Sequence, residues 1–243
     1  MPIKKILFSK DGEKLHVRDI SKDFHSKHGF IKSSDLEKGG SVKSSLGKEF
    51  SVMEPSFIDH YNRIKRAPQI IPLKDIAQII AETGIDKKSK ILDSGTGSGA
   101  LSVFLAHIAK EVISYELRED FAKVAEQNRV ELELKNLKIV VKNIYDGISE
   151  KNLDLITLDL PEPWKVIPHA ASALKVGGFL VSYSPSIPQT IDFVNAILKS
   201  ENFLHLKTTE IIEREWEIEE RRVRPKTSGV MHSGFLSFAR RIN

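Results

Sequence analysis

The stretch KILDSGTGSGALSVFLAHIAKEVISYE, residues 90–116, decides the fold. A short apolar strand, Lys90 to Asp93, breaks into glycines at 95, 97 and 99. An apolar helix follows from about Ser98 to Ala109, and a second apolar strand runs from Glu111 to Glu116. Strand, glycine turn, helix and strand in this order make a βαβ unit, in which the helix carries the chain back so that the two strands run parallel. Glycine at the turn permits positive φ and lets backbone N–H groups approach a ligand with no Cβ in the way. With Ala100 behind them, the glycines fit the G-x-G-x-x-G/A of dinucleotide domains, and equally the G-x-G-x-G of S-adenosylmethionine enzymes. The loop alone leaves both cofactors open.

Outward from this unit the alternation continues. A helix from about Glu119 to Leu132, a strand Leu137 to Lys142 and a connector precede a strand Leu153 to Leu160. Then come a helix from about Trp164 to Leu174, a strand Phe179 to Tyr183 and a helix from about Pro188 to Lys199. Short apolar runs between helices predict a parallel sheet buried on both faces, a doubly wound α/β fold. The end of the chain departs from this: Phe203 to Glu213 and Gly234 to Arg241 read as strands separated by a charged loop, which predicts an antiparallel pair. A parallel sheet finished in that way is the outline of a class I methyltransferase (Rossmann-like) domain, expected over residues 89–243. A dinucleotide domain ordinarily continues with parallel strands.

Upstream, residues 1–52 read as a small β-rich domain, with KKILFS and KLHVRD flanking the turn Lys10 to Glu13 and with Gly39, Gly40 and Gly47 as punctuation. Residues 53–88 read as a helical linker into the cofactor site. Leu73, Ile76, Ala77, Ile79, Ile80 and Ala81 fall there at helical spacing, with Gly84 as the stop.

The chain of 243 residues has no cysteine, which excludes disulfides, thiolate zinc sites and cysteine nucleophiles. It has no apolar run near the roughly 20 residues a membrane span needs. MPIKKILFSKDG lacks the apolar core of a secretory signal, so a cytoplasmic location is expected. The net charge of +4 is compatible with an acidic polymer as partner and equally with none.

Polar residues at the ends of the expected strands carry the chemistry. Glu116 stands close to the spacing of about 20 residues at which an acid meets both hydroxyls of a ribose. Asp93, just before the glycines, suits the ammonium of a methionine moiety, whereas a carboxylate beside a pyrophosphate is electrostatically unfavourable. Together with the antiparallel finish, Asp93 favours S-adenosylmethionine. Asn143, in VVKNIYDG, is placed to meet the edge of an adenine, with Asp146 as its rival. In LDLPEPWK, residues 158–165, Asp159 ends a central strand facing the crevice where open α/β sheets bind ligands, and Pro161 and Pro163 hold the following chain extended. No histidine or carboxylate cluster accompanies Asp159 at metal-ligand spacing, so no metal is expected.

Six stretches in order, DFHSKHG (23–29), RAPQIIPLKD (66–75), LDSGTGSGAL (92–101), SYELRED (114–120), LDLPEPW (158–164) and RPKTSGVMHSGFL (224–236), give the chain its resemblance to a known family. It resembles the S-adenosylmethionine-dependent tRNA adenine N1-methyltransferases that act at position 58 in the T loop. The resemblance implies methyl transfer to N1 of that adenine, with position 57 an open second target, tRNA as partner and a homotetrameric assembly. It implies a cofactor site of Gln69, Asp93, Gly95, Thr96, Gly97, Ser98, Gly99, Glu116, Asn143 and Asp159, with Asp159 as the catalytic residue. Two departures stand out. Pro72 and Leu73 replace the family's Tyr-Pro pair, and Asn143 stands where relatives often have an acid.

Between the last two strands Arg214, Arg221, Arg222, Arg224 and Lys226 are interleaved with five glutamates. A phosphate contact, a solvated mixed-charge loop and a subunit contact all fit that pattern. Arg222, Arg224 and His232 are the substrate-binding candidates; Trp164 reads as core and Trp216 as a residue able to stack on a base. A class I methyltransferase acting on a protein or small molecule is the alternative function. A dinucleotide-dependent oxidoreductase follows it, and a noncatalytic subunit is disfavoured by the intact glycine loop and Asp159.

Overall fold

Period-two alternation of apolar residues gives the first 64 residues a core of their own. The computed structural model describes residues 3–66, 69–229 and 232–243. The chain divides into two units, Met1–Ile64 and Lys65–Asn243. In the first, β1 (Lys5–Phe8), β2 (Lys14–Val17), the hairpin β3 (Phe24–Ser26) and β4 (Gly29–Ile31), α1 (Ser33–Lys38), β5 (Gly40–Lys43), β6 (Glu49–Met53) and α2 (Phe57–Tyr61) follow one another. The four-stranded sheet has the order β2-β1-β6-β5 and is antiparallel throughout. Leu7, Val17, Val42, Phe50 and Val52 point to one face and pack with Ile31 and Leu36. A capping box starts α2, in which the Ser56 N–H donates to Asp59 Oδ2 at 2.8 Å. The first unit thus runs past the boundary expected at residue 52, and the linker expected over 53–88 is shared: α2 belongs to the first unit and the next helix to the second.

The second unit contains α3 (Leu73–Thr83), β7 (Lys90–Ser94), α4 (Ala100–Ile108), β8 (Glu111–Glu116), α5 (Glu119–Glu131), β9 (Leu137–Val141), β10 (Leu153–Leu158), α6 (Ile167–Ala173), β11 (Leu174–Ser184), α7 (Ile187–Lys199), β12 (Phe203–Thr209), β13 (Trp216–Glu219), β14 (Arg222–Pro225) and β15 (Phe235–Arg241). Short 3₁₀ turns at Ile144–Asp146 and Pro163–Val166 precede β10 and α6. Seven strands form one sheet in the order β12-β15-β11-β10-β7-β8-β9. β7 to β11 run parallel, while β15 is antiparallel to both of its neighbours, β11 and β12. The unbroken apolar runs of the central strands follow from burial on both faces: Leu92, Leu155 and Ile156 have no exposed surface. Ala170 of α6 and Phe193 and Ile197 of α7 close one side of that core.

Three elements differ from expectation. β11 begins at Leu174 rather than Phe179, because Gly177 and Gly178 continue the strand instead of ending it. β12 stops at Thr209. The charged segment after it holds the hairpin β13–β14, in which Glu217 faces Arg224, Glu219 faces Arg222, and Glu220 turns the chain at φ 52. Glutamate is rare at positive φ, so no Asn-Gly signal marks this turn. Two of the family-like stretches, 66–75 and 224–236, include Ala67, Pro68, Val230 and Met231, which lie outside the described residues.

From β7 the chain builds outward through β8 to β9, then returns to place β10 on β7's other side. The strand order reverses there, and in open α/β sheets ligands bind in the crevice at the carboxyl ends of such strands.

Candidate active site

Asp93, Glu116 and Asp159 end β7, β8 and β10, so the parallel register brings three carboxyl groups to one rim of the sheet. Asp93 is buried. It accepts hydrogen bonds from Ser114 Oγ at 2.6 Å and Thr157 Oγ1 at 2.7 Å, one from each neighbouring strand. Burial nevertheless pushes its carboxyl up to about 6, since desolvation outweighs the two hydroxyl donors and the Glu116 charge adds to the rise.

The glycine loop is held from the same strands. Glu116 Oε2 accepts from the Gly97 N–H at 2.8 Å and Oε1 from the Arg118 N–H at 2.9 Å, so this carboxylate fastens the loop while each oxygen keeps a second lone pair for a ligand. Gly95, at φ +87, lies under the Asp159 backbone: a Cβ there would come within 2.0 Å of the Asp159 carbonyl oxygen. At Gly99, φ +83, a Cβ would press on Ala125 at 3.1 Å, so the glycine also lets α4 lie close to α5. Gln69, Ile70 and Ile71 form a wall of one small cavity with Asp93, Gly95 to Ser98, Ala100, Leu101 and Asp159. Ser98 Oγ is buried there with no hydrogen-bond partner among the described residues, a polar atom left for a polar ligand.

Asp159 is fixed by its backbone, whose N–H donates to the Ser94 carbonyl at 2.9 Å. The segment after it is tethered twice, by the Glu162 N–H to Tyr145 Oη at 3.2 Å and by Gln189 Nε2 to the Pro161 carbonyl at 3.0 Å. Asp159 lines the cavity, partly open to solvent and partly enclosed by protein. That enclosure, then the Asp93 and Glu116 charges, pushes its carboxyl up to about 7, with the open side moderating the shift. Asn143 is turned to local work: its Oδ1 accepts from the Tyr145 N–H at 3.1 Å and its amide reaches Asp146 at 3.3 Å. Neither Asn143 nor Asp146 lines the cavity.

Of the substrate-binding candidates, Arg224 bonds Glu217 at 2.8 Å and Arg222 lies 3.9 Å from Glu219, so cross-strand glutamates neutralise both. His232 reaches Glu210 Oε1 at 2.6 Å and the Pro185 carbonyl at 3.1 Å, contacts that raise its pKa and suit an imidazolium donating from both nitrogens. Trp164 packs on the core, and Trp216 is half exposed on the hairpin.

Several residues here carry no local signal in the sequence. Leu117, next to Glu116, leaves 66% of its surface exposed at the strand end, an apolar platform beside that carboxylate. Lys74 and the fully buried Asp75 pair at 3.0 Å; Ser233 Oγ donates to Asp75 at 2.6 Å, and Lys74 also donates to the Ile211 carbonyl at 2.7 Å. Gly234 then lies against the Tyr183 ring, where a Cβ would meet Cζ at 2.5 Å. These contacts fasten α3, β11 and the entry to β15 together, and the sequence separation across them hides them from any spacing rule. A second cleft, at the amino ends of the strands, is lined by Lys175, Asp154 and Arg240. Lys175 pairs with Asp154, and Arg240 bonds the Gly177 carbonyl.

The reversed β15 between β11 and β12, with the glycine loop beside β7 and acids at the ends of β7, β8 and β10, defines a class I methyltransferase. The solved structure of an S-adenosylmethionine-dependent O-methyltransferase from Thermotoga maritima is similar over 100% of this chain and 94% of its own, at a TM-score of 0.85 and 29% identity. That of the tRNA (m1A58) methyltransferase TrmI from Aquifex aeolicus is similar over 100% and 98%, at 0.79 and 26%. In sequence, the tRNA (adenine(57)-N(1)/adenine(58)-N(1))-methyltransferase TrmI of Methanocaldococcus jannaschii is 35% identical over 97% of this chain and 94% of its own length. Residues 61–233 match the family described as tRNA methyltransferase complex GCD14 subunit, and the chain belongs to that family.

Proposed function

We propose that the protein transfers a methyl group from S-adenosylmethionine to N1 of adenine 58 in the T loop of tRNA. The observation that carries the reading is Asp159, locked by its backbone to β7 beside the glycine loop, in a chain of this family. The site fits the cofactor's groups. Asp93 and the unpartnered Ser98 hydroxyl suit the amino-acid end, Glu116 the ribose hydroxyls and Leu117 the adenine face, with Gln69 to Ile71 closing the wall. When bound, S-adenosylmethionine supplies an electrophilic methyl group on a sulfonium. Adenine N1 already carries a lone pair, so the protein needs no strong base; it has to place the ring and favour the positive charge that develops on it. The Asp159 carboxylate does both by accepting a hydrogen bond from the exocyclic amine. N1 lies on the Watson–Crick edge, so the target base leaves its tRNA contacts to reach the crevice.

The decisive experiment is methylation of a tRNA transcript followed by mass mapping of the modified nucleotide. Label at adenine 58, alone or with 57, supports the reading; no transfer into tRNA sinks it in favour of a protein or small-molecule substrate.

Two pH effects follow. Ionised Asp159 is the acceptor, so kcat/KM for S-adenosylmethionine should rise about tenfold per unit below pH 7 and level off above it. A flat profile between about pH 5.5 and 8.5 would remove Asp159 from this role. For stability the sign is set by Asp93, whose native pKa lies near 6 against an ordinary 3.8. Between those values the native form keeps a proton that the unfolded chain has released, so the stability due to this group is present below pH 4 and lost as pH rises through 6. Urea unfolding of wild type and Asp93→Asn should show the stability difference between them shifting by about 3 kcal/mol over that window, in favour of the variant at pH 7. A pH-independent difference contradicts the assignment.

Self-association, as a homotetramer, goes with the hairpin β13–β14. Trp216, Ile218 and Val223 share one of its faces and are 51%, 71% and 56% exposed, and a two-stranded ribbon is marginal in water without a partner surface. A cytoplasmic location goes with a tRNA substrate; among the described residues no helix is long and apolar enough to cross a membrane.

A further inference from the structure

The positive charge of the chain is unevenly placed. Residues 1–64 carry 12 Lys and Arg against 9 Asp and Glu, a net +3 of the whole chain's +4. Within that unit Lys5, Lys14, Lys22, Lys27, Lys43 and Lys48 each meet a carboxylate. Arg18 and Arg63 are exposed, and neither guanidinium has a hydrogen bond or ion pair among the described residues.

These two arginines belong to one cluster at the open edge of the sheet, where β2 has only β1 as neighbour. Lys14, His16 and Arg18 alternate onto one face of β2 and its extension. The Lys4 N–H donates to the Val17 carbonyl at 2.7 Å, one step beyond the Lys5–Val17 pair, so the exposed Lys4 stands across from Arg18. Arg63 follows α2 on the same side, since Lys14 reaches across to Asp59 of that helix. Burial first, then the charges of Arg63 and Lys14, lower the pKa of His16, leaving a neutral ring with an N–H to donate. Two acids lie close, and both are engaged: Asp59 by Lys14 and Ser56, and Asp19 by Ser21. Like charges facing each other across a strand pair are destabilising, and the pair register sets Lys4 and Arg18 in that relation.

We infer that Lys4, Arg18 and Arg63, with His16 among them, form a docking surface for backbone phosphates of the tRNA substrate, carried by the first unit while the methyl-transfer residues belong to the second. Guanidinium forks match phosphate oxygens two at a time, and contacts of this kind position an RNA without reading its sequence. The inference rests on tRNA being the substrate.

The test uses the full chain and an unmodified tRNA transcript, comparing wild type, Arg18→Glu/Arg63→Glu, the milder Arg18→Gln/Arg63→Gln, and Lys38→Glu. The last is an equal reversal of an exposed, unpaired cation at the end of α1. The glutamate pair should raise Kd and KM for tRNA at least about tenfold near 150 mM salt and flatten the slope of log K against log salt by about 2. The glutamine pair should do the same in smaller measure. In all variants kcat at saturating tRNA and the Kd for S-adenosylmethionine stay within about twofold of wild type, and Lys38→Glu leaves tRNA affinity there too. Wild-type affinity and salt slope in both arginine pairs, or equal weakening by Lys38→Glu, overturns the surface while leaving the function intact. Wild-type protein that neither binds nor methylates tRNA overturns the function, and the surface with it. Arginine-dependent binding to anionic phospholipid vesicles, with tRNA affinity unaffected, would reassign the cluster to a membrane headgroup.

Discussion

Asp159→Ala should lower kcat for methyl transfer into tRNA by about 10²–10³-fold, roughly 2.7–4 kcal/mol of transition-state stabilisation, with the Kd for S-adenosylmethionine changed only a few-fold. The split follows from where the groups sit. On the proposed reading Asp93, Ser98, Glu116 and the glycine backbone hold the cofactor, while Asp159, which lines the same cavity from β10, the strand next to β7, acts on the reacting base. The Asp159 backbone survives truncation, so its N–H keeps the bond to the Ser94 carbonyl and the loop keeps its course. Truncation also removes a carboxyl whose charge raises the pKa of Tyr183, and no side-chain hydrogen bond to Asp159 is broken among the described residues. Stability should therefore hold, and a loss of kcat alone can be assigned to the reacting base. Asp159→Asn separates charge from shape. An amide carbonyl still accepts from the exocyclic amine but offers no full negative charge to the developing cation, so its rate should fall between wild type and Asp159→Ala. Undiminished kcat in the alanine variant would move the catalytic role elsewhere.

The same residues show what a sequence makes visible. The course of residues 90–116 was legible to within about two residues, because strand burial, glycine punctuation and helix burial are all local patterns. The placement of Asp93, Glu116 and Asp159 was legible too, since each sits at or beside a strand end and the parallel sheet gathers strand ends on one rim. Asn143 marks the limit of that logic. It also follows a strand, yet its side chain is consumed by the 3₁₀ turn beside it, and the choice between a turn contact and a ligand contact depends on a few tenths of an ångström of local geometry. Arg222 and Arg224 mark a second limit: a mixed-charge run does not say whether its cations face a ligand or their own glutamates, and the hairpin pairs them with the latter. The Lys74–Asp75–Ser233 cluster marks a third, because a buried ion pair closed by a serine 158 residues away has no period to detect.

Gly95→Ala should be the most damaging single methyl group in the chain, and the reason separates it from the other two glycines of the loop. At φ +87 a non-glycine residue is strained by about 1–2 kcal/mol, and the added Cβ would lie 2.0 Å from the Asp159 carbonyl oxygen and 2.9 Å from its carbonyl carbon. A flexible side chain could yield to such a contact, but a strand-end backbone cannot without pulling Asp159 from its bond to Ser94, a rearrangement worth a further 1–3 kcal/mol. Gly97→Ala provides the control. Its φ of +54 carries similar backbone strain, but a Cβ there meets nothing within 4 Å. Without cofactor, Gly95→Ala should therefore melt about 4–20 °C below wild type, and Gly97→Ala only about 2–8 °C below. Activity should divide them further, since only the former displaces Asp159: Gly95→Ala loses kcat to the level of Asp159→Ala as well as cofactor affinity, while Gly97→Ala, whose Cβ points into open space beside the loop, loses affinity with kcat largely retained. Equal melting temperatures and equal kcat in the two variants would mean that the loop moves freely past β10, and the close passage of Asp159 over Gly95 would then not be what positions the Asp159 carboxylate.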